Sequence, residues 1–160
     1  MRSLKVVRAG AVFAIALVAA CSDDFTAAPA PERYVLFLTG AKERPNPITT
    51  TASASAVVTV VNKDSVEFTI YVSGADSITA SHFHAGDANT AGPVMVFTFA
   101  GPTTGRFDGA LRFGAIGRTT PFVGVFTFDS LMTRIRAGTT YLNIHTRKNP
   151  PGELRAQVVK

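Results

Sequence analysis

Apolar and polar residues alternate most cleanly at Val66, Phe68, Ile70 and Val72, which are interleaved with Glu67, Thr69 and Tyr71. Successive side chains of a strand point to opposite faces, so a period of two marks a half-buried strand. The preceding run, Ala54–Val61, alternates loosely and is β-branched toward its end. With Asn62-Lys63-Asp64 between them, the two runs read as a hairpin. Shorter strand-like runs lie at Tyr34–Thr39, Ser77–His84, Val94–Phe99, Arg106–Phe113 and Phe122–Thr127. Lys42–Pro47 is a proline-broken loop and Gly86–Gly92 a second loop. Only Asp129–Ala137 has helical spacing: Leu131, Met132 and Ile135 share a face, Asp129 or Ser130 is the expected cap, and Gly138 stands at the stop position. The pattern predicts an all-β fold, a Greek-key β-sandwich or barrel of about eight short strands, with one short helix near 129–137.

The last two runs, Thr140–Thr146 and Glu153–Val159, carry a second message. Tyr141, Asn143 and His145 share one face of the first, and Leu142 and Ile144 the other. Glu153, Arg155 and Gln157 share one face of the second, against Leu154, Ala156 and Val158. Keeping apolar against apolar forces polar against polar. The best antiparallel register sets Tyr141 opposite Gln157, Asn143 opposite Arg155 and His145 opposite Glu153; a two-residue slip that sets His145 opposite Arg155 keeps the same parity. Pro151-Gly152 between them is expected at the centre of a type II turn.

Composition changes the picture mainly at the amino terminus. Arg2, Lys5 and Arg8 precede twelve uninterrupted small or apolar residues, Ala9 to Ala20. Such a run is too short for a bilayer-spanning helix, which needs roughly 20 residues, and suits a secretory signal. It ends in Leu17-Val18-Ala19-Ala20-Cys21, which resembles a bacterial lipobox, and Cys21 is the chain's single cysteine. The expected organisation is a signal peptide over 1–20, a lipidated Cys21 with a flexible tether to residue 33, and a β domain over 34–160. The implied partner is the membrane, reached through the lipid on Cys21. Ser22 in place of an aspartate after the cysteine implies the outer membrane, facing the periplasm or the cell surface. Beyond the signal, 13 basic residues stand against 11 acidic ones, a net charge of +2. That balance, with no run of Lys or Arg, argues against a nucleic-acid partner.

The chain has three histidines. His82 and His84 are two apart on a strand, so both leave the same face; His145 ends the strand with the polar face. His-x-His with a distant third imidazole is a way for a sheet to present nitrogen ligands to copper or zinc. Asp87 and Glu153 are available as carboxylate partners for the rings, and Asn143 and Arg155 complete a polar cluster. The alternative is a non-catalytic structural or adhesive extracellular interaction domain whose function lies in a partner-binding face; its imidazoles would be a clamp, bonding backbone carbonyls and tying the Gly86–Gly92 loop to the last hairpin. A metal-dependent enzyme is a third possibility, but no residue can be assigned as catalytic. There is no G-x-S-x-G elbow and no phosphate-cradling glycine loop. The Phe-rich stretch from Phe97 to Phe128 reads as core.

Several of these segments are together characteristic. Ser81-His82-Phe83-His84-Ala85-Gly86, continuing to Gly92-Pro93-Val94, resembles a conserved segment of the CHRD domain first described in chordin. Gly138 to Thr146, continuing through Pro151-Gly152-Glu153-Leu154-Arg155-Ala156-Gln157, is similar to that domain's closing segment. Leu38-Thr39-Gly40-Ala41-Lys42-Glu43-Arg44-Pro45 is similar to its start. Ala156 replaces a usual glycine, and Arg44-Pro45-Asn46-Pro47 departs from the usual Val-Pro-Pro. The resemblance implies a β-rich extracellular or periplasmic domain and no established activity. It also implies that His82, His84, Asn143, His145, Glu153 and Arg155 belong to the family pattern. An analogy to copper/zinc superoxide dismutase stops at the H-x-H, because three histidines are too few for a dinuclear centre.

Overall fold

The computed structural model describes residues 30–160. The expected signal segment, Cys21 and the first part of the tether lie outside the described residues. Eight strands follow: β1 (Glu32–Thr39), β2 (Ser53–Asn62), β3 (Ser65–Asp76), β4 (Ile78–Ala85), β5 (Val94–Ala100), β6 (Arg106–Gly117), β7 (Thr140–Thr146) and β8 (Leu154–Gln157). One α-helix, α1 (Phe128–Arg136), connects β6 to β7. Every strand pairing is antiparallel, in the order β5-β4-β7-β8-β1-β2-β3-β6. The two edge strands, β5 and β6, come back beside one another without a ladder, so the sheet is a nearly closed barrel. Of the two expected architectures, the barrel is the one formed. β7 returns through α1 to lie beside β4, which is a Greek-key connection.

Alternation explains the interior. Leu36 and Leu38 of β1, Ala56 and Val58 of β2, and Val66, Phe68, Ile70 and Val72 of β3 all point inward and are buried. Small residues on β2 face large ones on β3: Ala56 pairs with Ile70, and Val58 with Phe68. This is how a small barrel fills its interior without overpacking. Across it, the Phe68 and Phe83 rings meet edge to face at 6.2 Å. Phe128, Leu131, Met132 and Ile135 of α1 are buried against the same core.

Several local expectations need correction. Phe122–Thr127 is not a strand. Gly124 adopts a positive φ of 62° and Val125 is almost fully exposed, so alternation fails there. The segment instead leads into α1 and packs Phe122 and Phe126 on the core. The α1 cap is Thr127, not Asp129 or Ser130. Thr127 Oγ1 accepts from the Ser130 amide while Ser130 Oγ accepts from the Thr127 amide, a reciprocal capping box. At the other end Gly138, at φ 66°, ends the helix as expected. Its amide donates to Ile135 and that of Thr139 to Arg134, a Schellman arrangement. β1 starts two residues before Tyr34, because Glu32 pairs with Val60 and its carboxylate meets Arg136 at 2.7 Å. The turn before β8 closes from the Gly152 amide to the Asn149 carbonyl, so Pro150 and Pro151 occupy its centre.

Candidate metal centre

β4 and β7 are buried on both faces. Ser81, Phe83 and Ala85 of β4, and Leu142 and Ile144 of β7, face inward. His82, His84, Tyr141, Asn143 and His145 face outward and are nevertheless buried. The β4–β7 register sets Ala80 opposite His145, His82 opposite Asn143 and His84 opposite Tyr141. On the far side of β7, Tyr141 opposes Gln157 and Asn143 opposes Arg155. That is the register expected from polar alternation. The ladder ends at Ile144 and Leu154, so the expected pair of His145 with Glu153 falls just beyond it.

Loops cover this outer face, and its polar groups hold them down. The buried Arg155 guanidinium donates to the carbonyls of Asp87 and Thr90 at 2.6 and 2.9 Å. Gln157 donates to those of Gly86 and Gly138 at 2.7 and 2.8 Å. The Tyr141 hydroxyl meets the amide and the carbonyl of Gly92. Gly92 itself admits no side chain: a Cβ there would stand 1.5 Å from the Ala85 carbonyl oxygen. The first loop contributes Glu43, whose carboxylate accepts from Asn143 Nδ2 at 2.6 Å. Burial pushes the Glu43 carboxyl up to about 7, against the pull of Asn143 and Arg155. Glu153 accepts from the Thr50 and Thr146 hydroxyls, each at 2.6 Å. Burial works to raise its carboxyl, but those hydroxyls prevail and hold it below its ordinary range.

The three histidines come together in the middle of this cover. Ring centroids lie 4.8 Å apart for His82 and His145, 5.5 Å for His82 and His84, and 5.6 Å for His84 and His145. One nitrogen from each ring lies within 4.8 Å of the other two. His84 Nδ1 contacts the Gly92 carbonyl and His145 Nδ1 the Pro150 carbonyl, each at 2.9 Å. A carbonyl oxygen only accepts, so these contacts put the proton on Nδ1 and leave a lone pair on Nε2. His84 Nε2, His145 Nε2 and both nitrogens of His82 are buried with no hydrogen-bond partner. Burial pushes the His82 imidazole down to about 3, with His145 and His84 adding to the effect. It pushes His84 down to about 4 against the Gly92 contact, and lowers His145 against the Pro150 contact. All three rings are therefore neutral at pH 7 and can offer lone pairs to a cation.

The expected carboxylate partners stand elsewhere. Asp87 Oδ1 accepts from the amides of Asn89 and Thr90 and from the Thr90 hydroxyl, so its side chain folds its own loop. Glu153 is engaged with the two threonines. Backbone carbonyls take the place of both. Glu43 and Phe97 were not singled out as site residues from sequence. The Phe97 ring packs edge-on against His82 at 4.3 Å.

A Greek-key β-barrel with a loop-covered polar site on its outer wall is the class of protein these features define. The chain belongs to the CHRD domain family, which matches residues 34–158. No curated protein and no solved structure matches it.

Proposed function

We propose that this CHRD domain is a binding module for a single transition-metal ion, copper or zinc, held by His82, His84 and His145. One observation carries the reading: four nitrogens of three adjacent, buried imidazoles have no partner. An unpaired buried polar group costs about 1–3 kcal/mol, and a metal ion would supply the missing partner for one lone pair on each ring. Zinc at 2.0–2.1 Å from each ligand sets tetrahedral nitrogens about 3.4 Å apart. At most 4.8 Å apart in the metal-free protein, the nitrogens would draw together by about 1.4 Å or less to hold the ion. The clamp reading accounts for the two Nδ1 contacts. It gives no role to His82, and the loops are already held by Arg155, Tyr141 and Gln157.

Purified protein exposed to zinc or copper and then desalted is expected to retain one ion per chain by elemental analysis. His145→Ala should abolish this uptake and leave the β-sheet circular dichroism largely intact. A wild type that retains no metal, with a His145→Ala chain that unfolds, would decide for the clamp.

Independently of the metal, we propose that the domain is held at a membrane. It is exported and anchored by a lipid on Cys21, at the outer membrane, with the residues before β1 as tether. The support is the lipobox-like Leu17 to Cys21 and the position of the sole cysteine. Mass spectrometry of membrane-extracted protein should find Cys21 acylated at the new amino terminus; a mature chain that starts elsewhere, with Cys21 unmodified, would refute it.

A further inference from the structure

We infer that the histidine site selects copper(I) and discriminates against divalent ions, an inference that rests on the metal-binding reading above. The argument is one of charge. The three rings supply neutral nitrogen, and His82, His84 and His145 form the one cluster of potential metal ligands among the described residues. Each of the three histidines is more than nine-tenths buried. None of the nearby carboxylates bonds an imidazole: Asp87 is held by Asn89 and Thr90, Glu153 by Thr50 and Thr146, and Glu43 by Asn143. The ion's charge is therefore not neutralised by its ligands.

A fixed cation stands nearby. The Arg155 guanidinium carbon lies 3.6 Å from the centre of the Tyr141 ring. The opposite partner of that ring is His84, stacked at 4.8 Å and 13°. One aromatic ring thus separates a buried guanidinium from a ligand. The Born cost of burying an ion scales with the square of its charge, so a dication costs about four times as much as a monocation of similar size. Repulsion from Arg155 is also twice as large for a dication. Coordination number points the same way. Zinc completes a tetrahedron with a fourth ligand, whereas a closed-shell copper(I) ion is content with three nitrogens. The Phe97 ring edge against His82 adds apolar cover and no donor.

The test is a set of competition titrations on the purified protein. Copper(I) would be measured anaerobically against bicinchoninate, and zinc(II) and copper(II) against chromophoric chelators. Copper(I) should bind about 100-fold or more tightly than either dication. A zinc(II) or copper(II) affinity equal to or above that for copper(I) would overturn this inference and leave the metal site standing. Failure to bind any of the three ions would overturn both. Arg155→Gln should improve dication binding relative to copper(I) by about tenfold, and Arg155→Lys should not. Loosening of the loop would weaken all ions alike, so the ratio isolates charge; an unchanged ratio in Arg155→Gln counts against the inference.

Discussion

His82 packs its ring against Phe97, His84 and His145 and gives a hydrogen bond from neither nitrogen. In the metal-free protein it is a polar ring in an apolar setting, and a leucine of similar bulk would fill the same space. His82→Leu is therefore expected to stabilise the metal-free protein by about 1 kcal/mol, the lower end of the cost of an unsatisfied buried group. It should also eliminate metal retention. Urea unfolding of the chelator-treated protein measures the first effect and elemental analysis the second. A loss of about 2–5 kcal/mol, as for a truncated core side chain, would mean that the imidazole is structural. Arg155 is the contrast. It is as deeply buried, yet its donors meet two carbonyls and its plane lies on Tyr141. Its role is visible without any ligand; that of His82 is not.

At the scale of elements, the most legible part was the hairpin of β7 and β8. Parity alone fixed which residues of two alternating strands share a face; it also allowed a two-residue slip with His145 facing Arg155, and of the two registers the one formed sets Tyr141 against Gln157 and Asn143 against Arg155. The same parity put His82 and His84 together, and the shared sheet then brought both to His145. What parity could not show was cover. β4 and β7 bury both faces because the loops at 40–48, 86–92 and 147–152 fold over the outer one. Which loop lies over which face is a tertiary fact, carried by contacts such as Asn143 with Glu43, one hundred residues apart in sequence. Glu43 was therefore invisible as a site residue, although it lies in a segment with family resemblance. Phe122–Thr127 failed for a different reason. Its apolar residues alternate with nothing, and Gly124 and the Thr127 cap make it the entry to α1. Apolar content without periodicity was misread as a strand.

At the scale of the molecule, the buried site makes stability depend on pH in a way an ordinary barrel would not show. Each histidine of the metal-free protein has its folded pKa below the unfolded value of about 6.5. Below pH 6.5 the unfolded chain takes up protons that the folded chain refuses. The stability these rings contribute is thus full above pH 6.5 and is lost as pH falls toward about 4 for His84 and about 3 for His82. At pH 5 the loss is about 2 kcal/mol for each ring that stays neutral. Glu43 works in the opposite sense. Its folded pKa of about 7 lies above the unfolded value, so it adds stability as pH falls from 7 toward 4.5. One carboxyl offsets the histidines near neutrality and is outnumbered below. Stability of the metal-free protein should be nearly flat from pH 8 to about 6.5 and then fall by about 2–3 kcal/mol by pH 5. Glu43→Gln removes the offset, so its decline should begin near pH 7 and be steeper between 7 and 4.5. Urea midpoints of the chelator-treated proteins, taken at half-unit pH steps, test both curves. A wild-type profile that stays level until pH 4 would show that the histidines titrate alike in the folded and unfolded chain, and that they are not held neutral by burial.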